Sequence, residues 1–268
     1  MRYQTPYGKY LSLANATVGL RDKRVLEVGG CTPPHLVSEY QPSAWVCIDL
    51  DGKAVSAFNG EAREFGLMRY HAFESDIADL DEKDSYDVVF SINAFEHIHS
   101  LDQVLQKIWL ALREGGHLFT LFGPIWSSDV GHHLSLPLDE GELHFFDGIL
   151  EPWEHLSTKP EEIYNKLMIK YGENKARDAV HCIFEHPALN RLYDHDYISL
   201  FKSSPFCPIL LLRNKKGKAP PNIPGATNTR EFLVIMKKGT ATMFERVSCF
   251  LSFALAYLYI IRSRWFHE

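Results

Sequence analysis

Four polar side chains stand where apolar runs of the sequence end. Glu27 lies in "RVLEVG" and is followed by Gly29 and Gly30; Asp49 closes "CIDL"; Asp76 sits in "FESD"; Asn93 follows "YDVVFSI". Adjacent glycines let a backbone approach a ligand closely. Asp49 lies twenty residues beyond Gly29, the spacing at which an acid accepts hydrogen bonds from ribose hydroxyls. Asp76, at the end of the next run, is placed to meet an adenine amino group. A phosphate cradle of the G-x-G-x-x-G kind needs more glycine and free N–H donors at a helix N-terminus. Here Cys31, Pro33 and Pro34 follow instead, and proline has no N–H to give. The pattern disfavours a dinucleotide, and with it a nicotinamide oxidoreductase. A nucleoside cofactor without phosphates fits it.

A second group of residues could act on a bound molecule. "FGPIWSSDVGHHLSLPL" holds Trp126, Asp129, His132 and His133, and "LNRLYDHDY" holds Arg191 and Tyr193. Histidine titrates near neutral pH, which makes His132 or His133 the candidate general base. Trp126 offers a wall for an apolar or cationic acceptor; Asp129, Arg191 and Tyr193 are further candidates for holding it. His97, in "FEHI", reads as a positioning residue. Thirteen histidines in one chain mean that several are ordinary surface or loop residues. No H-x-x-x-H spacing occurs, and adjacent histidines on an extended segment point to opposite sides, so no metal site is expected.

These residues need a frame. Strands are predicted at 24–29, 44–50, 69–74, 86–92 and 116–123, with helices at 34–40, 53–65 and 101–113. Continuous Val/Ile/Leu runs suit strands buried on both faces, and strand–helix–strand alternation at this spacing predicts a doubly wound parallel sheet. Residues 124–200, rich in His, Trp, Pro and acids, interrupt the pattern, with helices near 160–171 and 173–183. Two late strands, 206–213 and 231–238, are expected to pair antiparallel. The expected division is a domain over 1–240, with 124–200 inserted between strands five and six as a substrate lid, and an apolar C-terminal helix over 241–268.

Composition narrows the class. With 268 residues, 46% of them hydrophobic and 23% charged, a packed core is expected rather than disorder. A net charge of −6 argues against nucleic-acid binding, which needs a basic face. Cys31, Cys47, Cys182, Cys207 and Cys249 are scattered, as in a reduced cytoplasmic protein. The tail is different: "VSCFLSFALAYLYII", 247–261, has no charge in fifteen residues and is flanked by Arg246, Arg262 and Arg264. A helix of that length covers about 22 Å, short of the roughly 30 Å hydrocarbon core. Two partners remain open for it, another subunit in a homo-oligomer and a membrane surface.

Residues 24–122 resemble the class I S-adenosylmethionine-dependent methyltransferases. The resemblance rests on "VLEVGG", "CIDLD", "FESDIAD", "YDVVFSINAFEHI" and "LREGGHLFTL", in that order. It implies a Rossmann-like seven-stranded sheet, mostly parallel with an antiparallel last strand. It further implies that Glu27 and Gly29 hold the amino-acid part of S-adenosylmethionine, with Gly30 supplying the flexible position, Asp49 the ribose and Asp76 with Ile77 the adenine. Asn93 lies close to the methionine moiety on the same reading. The family's first loop is usually E-x-G-x-G-x-G, and Cys31 and Pro33 replace its later glycines. The expected activity is methyl transfer to an O or N atom of a small polar molecule. A glycan or lipid-linked acceptor at a membrane surface, and a non-catalytic binding protein, are the alternatives.

Overall fold

The computed structural model describes residues 6–138, 141–187 and 189–265. After helix α1 (Pro6–Thr17) the chain alternates: β1 (Arg24–Val28), α2 (Pro34–Ser38), β2 (Ala44–Asp49), α3 (Gly52–Glu64), β3 (Tyr70–Glu74), β4 (Tyr86–Ile92), α4 (Leu101–Ala111) and β5 (Leu112–Phe122). Single 3-10 turns at Ile77–Asp79 and Phe95–His97 follow β3 and β4. The insertion carries a two-residue ribbon, β6 (Leu136–Pro137) and β7 (Glu142–Leu143), then α5 (Glu154–Ser157), α6 (Pro160–Tyr171), α7 (Glu173–Phe184) and α8 (Asp194–Ser203). Strands β8 (Cys207–Lys215) and β9 (Thr229–Lys237) and helix α9 (Met243–Trp265) complete it.

The sheet order is β3-β2-β1-β4-β5-β9-β8. β1 pairs parallel with both β2 and β4, so strand order reverses between them. β9 runs antiparallel to β5 and to β8, as the two late apolar runs anticipated. Central strands are buried almost throughout, whereas the edge strand β3 alternates buried and exposed residues. α3 turns Val55, Phe58 and Ala62 inward and is capped by Asp51, whose carboxylate accepts the Lys53 N–H at 2.8 Å. α4 buries Leu101, Val104, Leu105, Ile108 and Ala111, the i, i+3, i+4, i+7 stripe of a helix on a sheet.

Several local readings needed correction. The fifth strand begins at Leu112 rather than 116: pairing with β4 jumps from Tyr86–Leu112 to Val88–His117, and residues 113–116 bulge out. α8 lies outside the predicted helices; Tyr197 and Phe201 are buried on it one turn apart. The insertion has its own core, built from Trp126, Leu134, Ile149, Ile163, Leu167 and Ile183 among others. α9 starts at Met243 because Thr242 and Glu245 form a capping box: the Thr242 hydroxyl accepts the Glu245 N–H at 3.2 Å, and Glu245 accepts the Thr242 N–H at 2.7 Å. Nor is the tail a detached element. Cys249 and Ile260 join the main core with Leu11, Leu13 and Ala14, and Phe253 and Ala256 pack against it. Among the described residues α9 is the one helix long and apolar enough to cross a membrane, by length and composition.

Candidate cofactor and acceptor site

The loop after β1 is shaped by Glu27 rather than by glycine alone. Glu27 is 1% exposed, and its carboxylate accepts the Thr32 N–H at 3.0 and 3.2 Å, the Thr32 hydroxyl at 2.5 Å and the Trp45 indole N–H at 2.7 Å. Burial pushes this carboxyl up to about 7, against the lowering effect of those donors. These contacts make Glu27 the residue that pins the loop after β1, with its Oε1 close to Gly30, where an added Cβ would lie 3.6 Å from it. Gly29 and Gly30 adopt φ of 72° and 99°, and Cys31 follows at 42°, so Cys31 takes a left-handed conformation that favours glycine. A Cβ on Gly29 would lie 2.8 Å from that of Ala94, which binds the loop after β1 tightly against the loop after β4.

The strand-end acids converge on this turn. Asp49 accepts the Gly30 N–H at 2.6 Å and the Asp51 N–H at 2.8 Å. Asp76 accepts the Ala78 N–H at 2.8 Å and starts the short turn that carries Ile77. Asn93 leaves β4 at φ 50°. Together Gly29, Gly30, Asp49, Asp76, Ile77 and Asn93 line a cavity of about 700 Å³ at the carboxyl edge of the sheet, where strand order reverses. The cavity continues past Ala94 to His97, His99 and Gln103, and is walled by His186 and Pro187 from the insertion. Its lining contains two carboxylates and neither lysine nor arginine. That donor set suits a cationic, hydroxyl-rich nucleoside such as S-adenosylmethionine, and offers nothing to neutralise a pyrophosphate.

The insertion residues read as acceptor-binding do not line this cavity. Trp126, 7% exposed, belongs to the insertion core, edge-on to His155 at 4.6 Å between ring centroids. Asp129 is paired with Arg230 at 2.5 and 3.1 Å. The Arg191 guanidinium donates to the carbonyls of Ile183, His186 and Leu189 and lies over the Trp126 ring. Tyr193 precedes α8, its ring against Gly225. Trp126 and Arg191 hold the insertion together, and Asp129 and Tyr193 tie it to Arg230 of β9 and to Gly225.

His132 and His133 are displaced from the site as well. His132 is 1% exposed; its Nδ1 accepts the Leu134 N–H at 3.1 Å and its Nε2 has no partner. Burial drives His132 down to about 3 and His133 and His155 to about 4. His133 donates through Nε2 to the Pro124 carbonyl and stands edge-on to His97, with ring centroids 5.3 Å apart. A neutral, enclosed imidazole with its ring nitrogen committed is a poor proton acceptor for a molecule it cannot reach. The residue that does reach the cavity is His97, exposed on its wall, directly after the strand-end Asn93.

Sequence reasoning also passed over Glu96. It is 1% exposed, accepts the Gly123 N–H at 3.0 Å through Oε1, and its Oε2 has no hydrogen-bond partner. Burial pushes its carboxyl up to about 8, helped by nearby Glu231. Its backbone carbonyl accepts the Asn190 N–H at 3.0 Å, and the Asn190 side chain donates to the Phe95 and Ile98 carbonyls. Asn190 is thus the peg that seats the insertion on the cavity wall.

Residues 27–118 match the family model of a methyltransferase domain. The chain is similar in fold to a protein of Listeria monocytogenes assigned as an S-adenosylmethionine dependent methyltransferase, with 17% identity and a TM-score of 0.55, over 88% of this chain and 100% of that one. It is similar to an S-adenosylmethionine dependent methyltransferase from Mesorhizobium loti at 12% identity and a TM-score of 0.54, over 84% and 95%. A geranyl diphosphate methyltransferase in complex with GPP and sinefungin aligns at 12% identity and 0.53, over 85% of this chain and 76% of that one. At such identities the likeness establishes the fold. No curated protein matches the sequence.

Proposed function

We propose that residues 27–118, which match the family model of a methyltransferase domain, bind S-adenosylmethionine, and that the chain methylates an O or N atom of a small polar molecule received at the far end of its cavity. The observation that carries this reading is the continuity of the cavity. One end is lined by Gly29, Asp49, Asp76 and Ile77, the other by His97, His99, Gln103 and His186.

When bound, S-adenosylmethionine supplies an electrophilic methyl carbon on a sulfonium. Asp49 is the partner for its ribose hydroxyls, and Asp76 with the backbone of Ile77 and Ala78 for its adenine. Gly29 and Gly30 bring main chain within reach of its amino-acid part, while Glu27 holds their loop in shape through Thr32 and Trp45. Asn93 and His97 both line the cavity. His97 takes the acceptor's proton as the acceptor attacks, a role that moves from the enclosed His132 and His133 to the exposed imidazole. The insertion closes the acceptor end with His186 and Pro187, limiting water and acceptor size.

The test has two stages. Calorimetric titration should give micromolar binding of S-adenosylhomocysteine and none of NAD; the reverse result, or no binding of either, overturns the proposal. Acceptors are then screened with methyl-labelled cofactor. His97→Gln should lower kcat by about 10²-fold or more while S-adenosylhomocysteine affinity is retained. Unchanged kcat removes His97 from the reaction.

A further inference from the structure

α9 has two opposed apolar faces. Cys249, Phe253, Ala256 and Ile260 recur at i, i+4, i+7 and i+11 and pack into the main core, which lays the helix along the body of the domain. At 100° per residue, Phe244, Val247, Leu251, Leu255 and Leu258 fall on the other side. They are 80%, 48%, 54%, 70% and 57% exposed. A stripe of this kind presents several hundred Å² of contiguous apolar surface, at or beyond the largest patch of an ordinary monomer. A fully embedded span would strip the packed face from α1 and the sheet, so the helix lies flat.

Charge decides what covers the stripe. Between Met243 and Trp265 the sequence carries Arg246, Arg262 and Arg264 against a single acid, Glu245. Glu245 is already held by Lys237 and by the Thr242 N–H. Arg246 is turned from the stripe to the Cys207 Sγ, to which it donates at 3.2 Å, so Arg262 and Arg264 set the charge of the face; in a parallel pairing of α9 with a second copy they meet their own counterparts, and neither helix has a free carboxylate to answer them. A single helix face is also small beside the roughly 800 Å² per partner of a stable interface. Anionic headgroups answer the arginines, and tyrosine and tryptophan, present as Tyr257 and Trp265, favour the water–hydrocarbon boundary. We infer that α9 docks this chain in the plane of an anionic membrane surface, its Phe244–Leu258 stripe immersed and its basic end, Arg262 to Arg264, at the headgroups.

The experiment is sedimentation of the full chain with vesicles of phosphatidylcholine containing 30% phosphatidylglycerol (roughly the anionic content of an acidic leaflet) and with phosphatidylcholine alone. Wild type should partition at least tenfold more strongly to the anionic vesicles. Leu255→Glu with Leu258→Glu should reduce that partition at least tenfold while keeping its melting temperature and S-adenosylhomocysteine binding, since both side chains are exposed. Three results overturn the inference. They are absence of wild-type binding to either vesicle, anionic binding indifferent to the double substitution, and a wild-type dimer in light scattering that the substitution dissociates without any vesicle binding.

Discussion

Replacing Glu96 with Gln should make the protein more stable, and by an amount that grows with pH. Glu96 is enclosed, with one oxygen on the Gly123 N–H and the other without a partner. Its carboxyl is held near 8 instead of 4.5, chiefly by burial. Below about 4.5 it is neutral folded and unfolded, and costs nothing. Between 4.5 and 8 the folded state keeps a proton that the unfolded chain releases, so stability falls as pH rises. The slope is 1.36 kcal/mol per pH unit, giving an upper bound of about 4–5 kcal/mol by pH 8. Relaxation around a buried charge makes about 2 kcal/mol a safer expectation. Gln keeps an acceptor oxygen for Gly123 and cannot ionise. Its amide nitrogen adds a penalty that is the same at every pH, and comparison across pH removes it. The assay is thermal unfolding of wild type and Glu96→Gln at intervals from pH 5 to 8.5. At about 2–4 °C per kcal/mol for a chain of this size, the variant should gain on wild type by about 4–8 °C over that range. A difference that does not change with pH, or shrinks as pH rises, refutes the reasoning.

Two further substitutions probe the site and its support. Gly29→Ala combines a φ of 72° with a Cβ 2.8 Å from that of Ala94; it should weaken S-adenosylhomocysteine binding at least tenfold by calorimetry, while Gly19→Ala, at a positive φ with open space around it, should leave binding unchanged. His132, His133 and His155 are held at about 3 to 4 by burial, below their ordinary 6.5, so the unfolded chain binds more protons below that pH and stability is lost as pH falls from 6.5 toward 4. His132→Gln should flatten this acid limb in urea unfolding at pH 5 against pH 7, and an unaltered slope would deny His132 any part in it.

Local sequence was enough for the frame and for the cofactor end of the cavity. Branched apolar runs fixed where each strand stops, and in a parallel sheet the strand ends share one edge. Gly29, Asp49, Asp76 and Asn93 were therefore legible as a group before any contact was known. The T-x-x-E box at Thr242 was equally legible and was missed. Tertiary structure alone decided the rest, because a side chain's role depends on partners distant in sequence. Glu27 shapes its loop because Trp45, eighteen residues on, offers it an N–H. Asp129 is claimed by Arg230, 101 residues away. His132 and His133 follow a strand at the right edge, yet the insertion folds them into and beside its own core, and His97 is left on the wall. Periodicity fixes which backbone segments become strands and where they end. Which polar groups reach the cavity depends on where long-range burial and hydrogen bonding leave them.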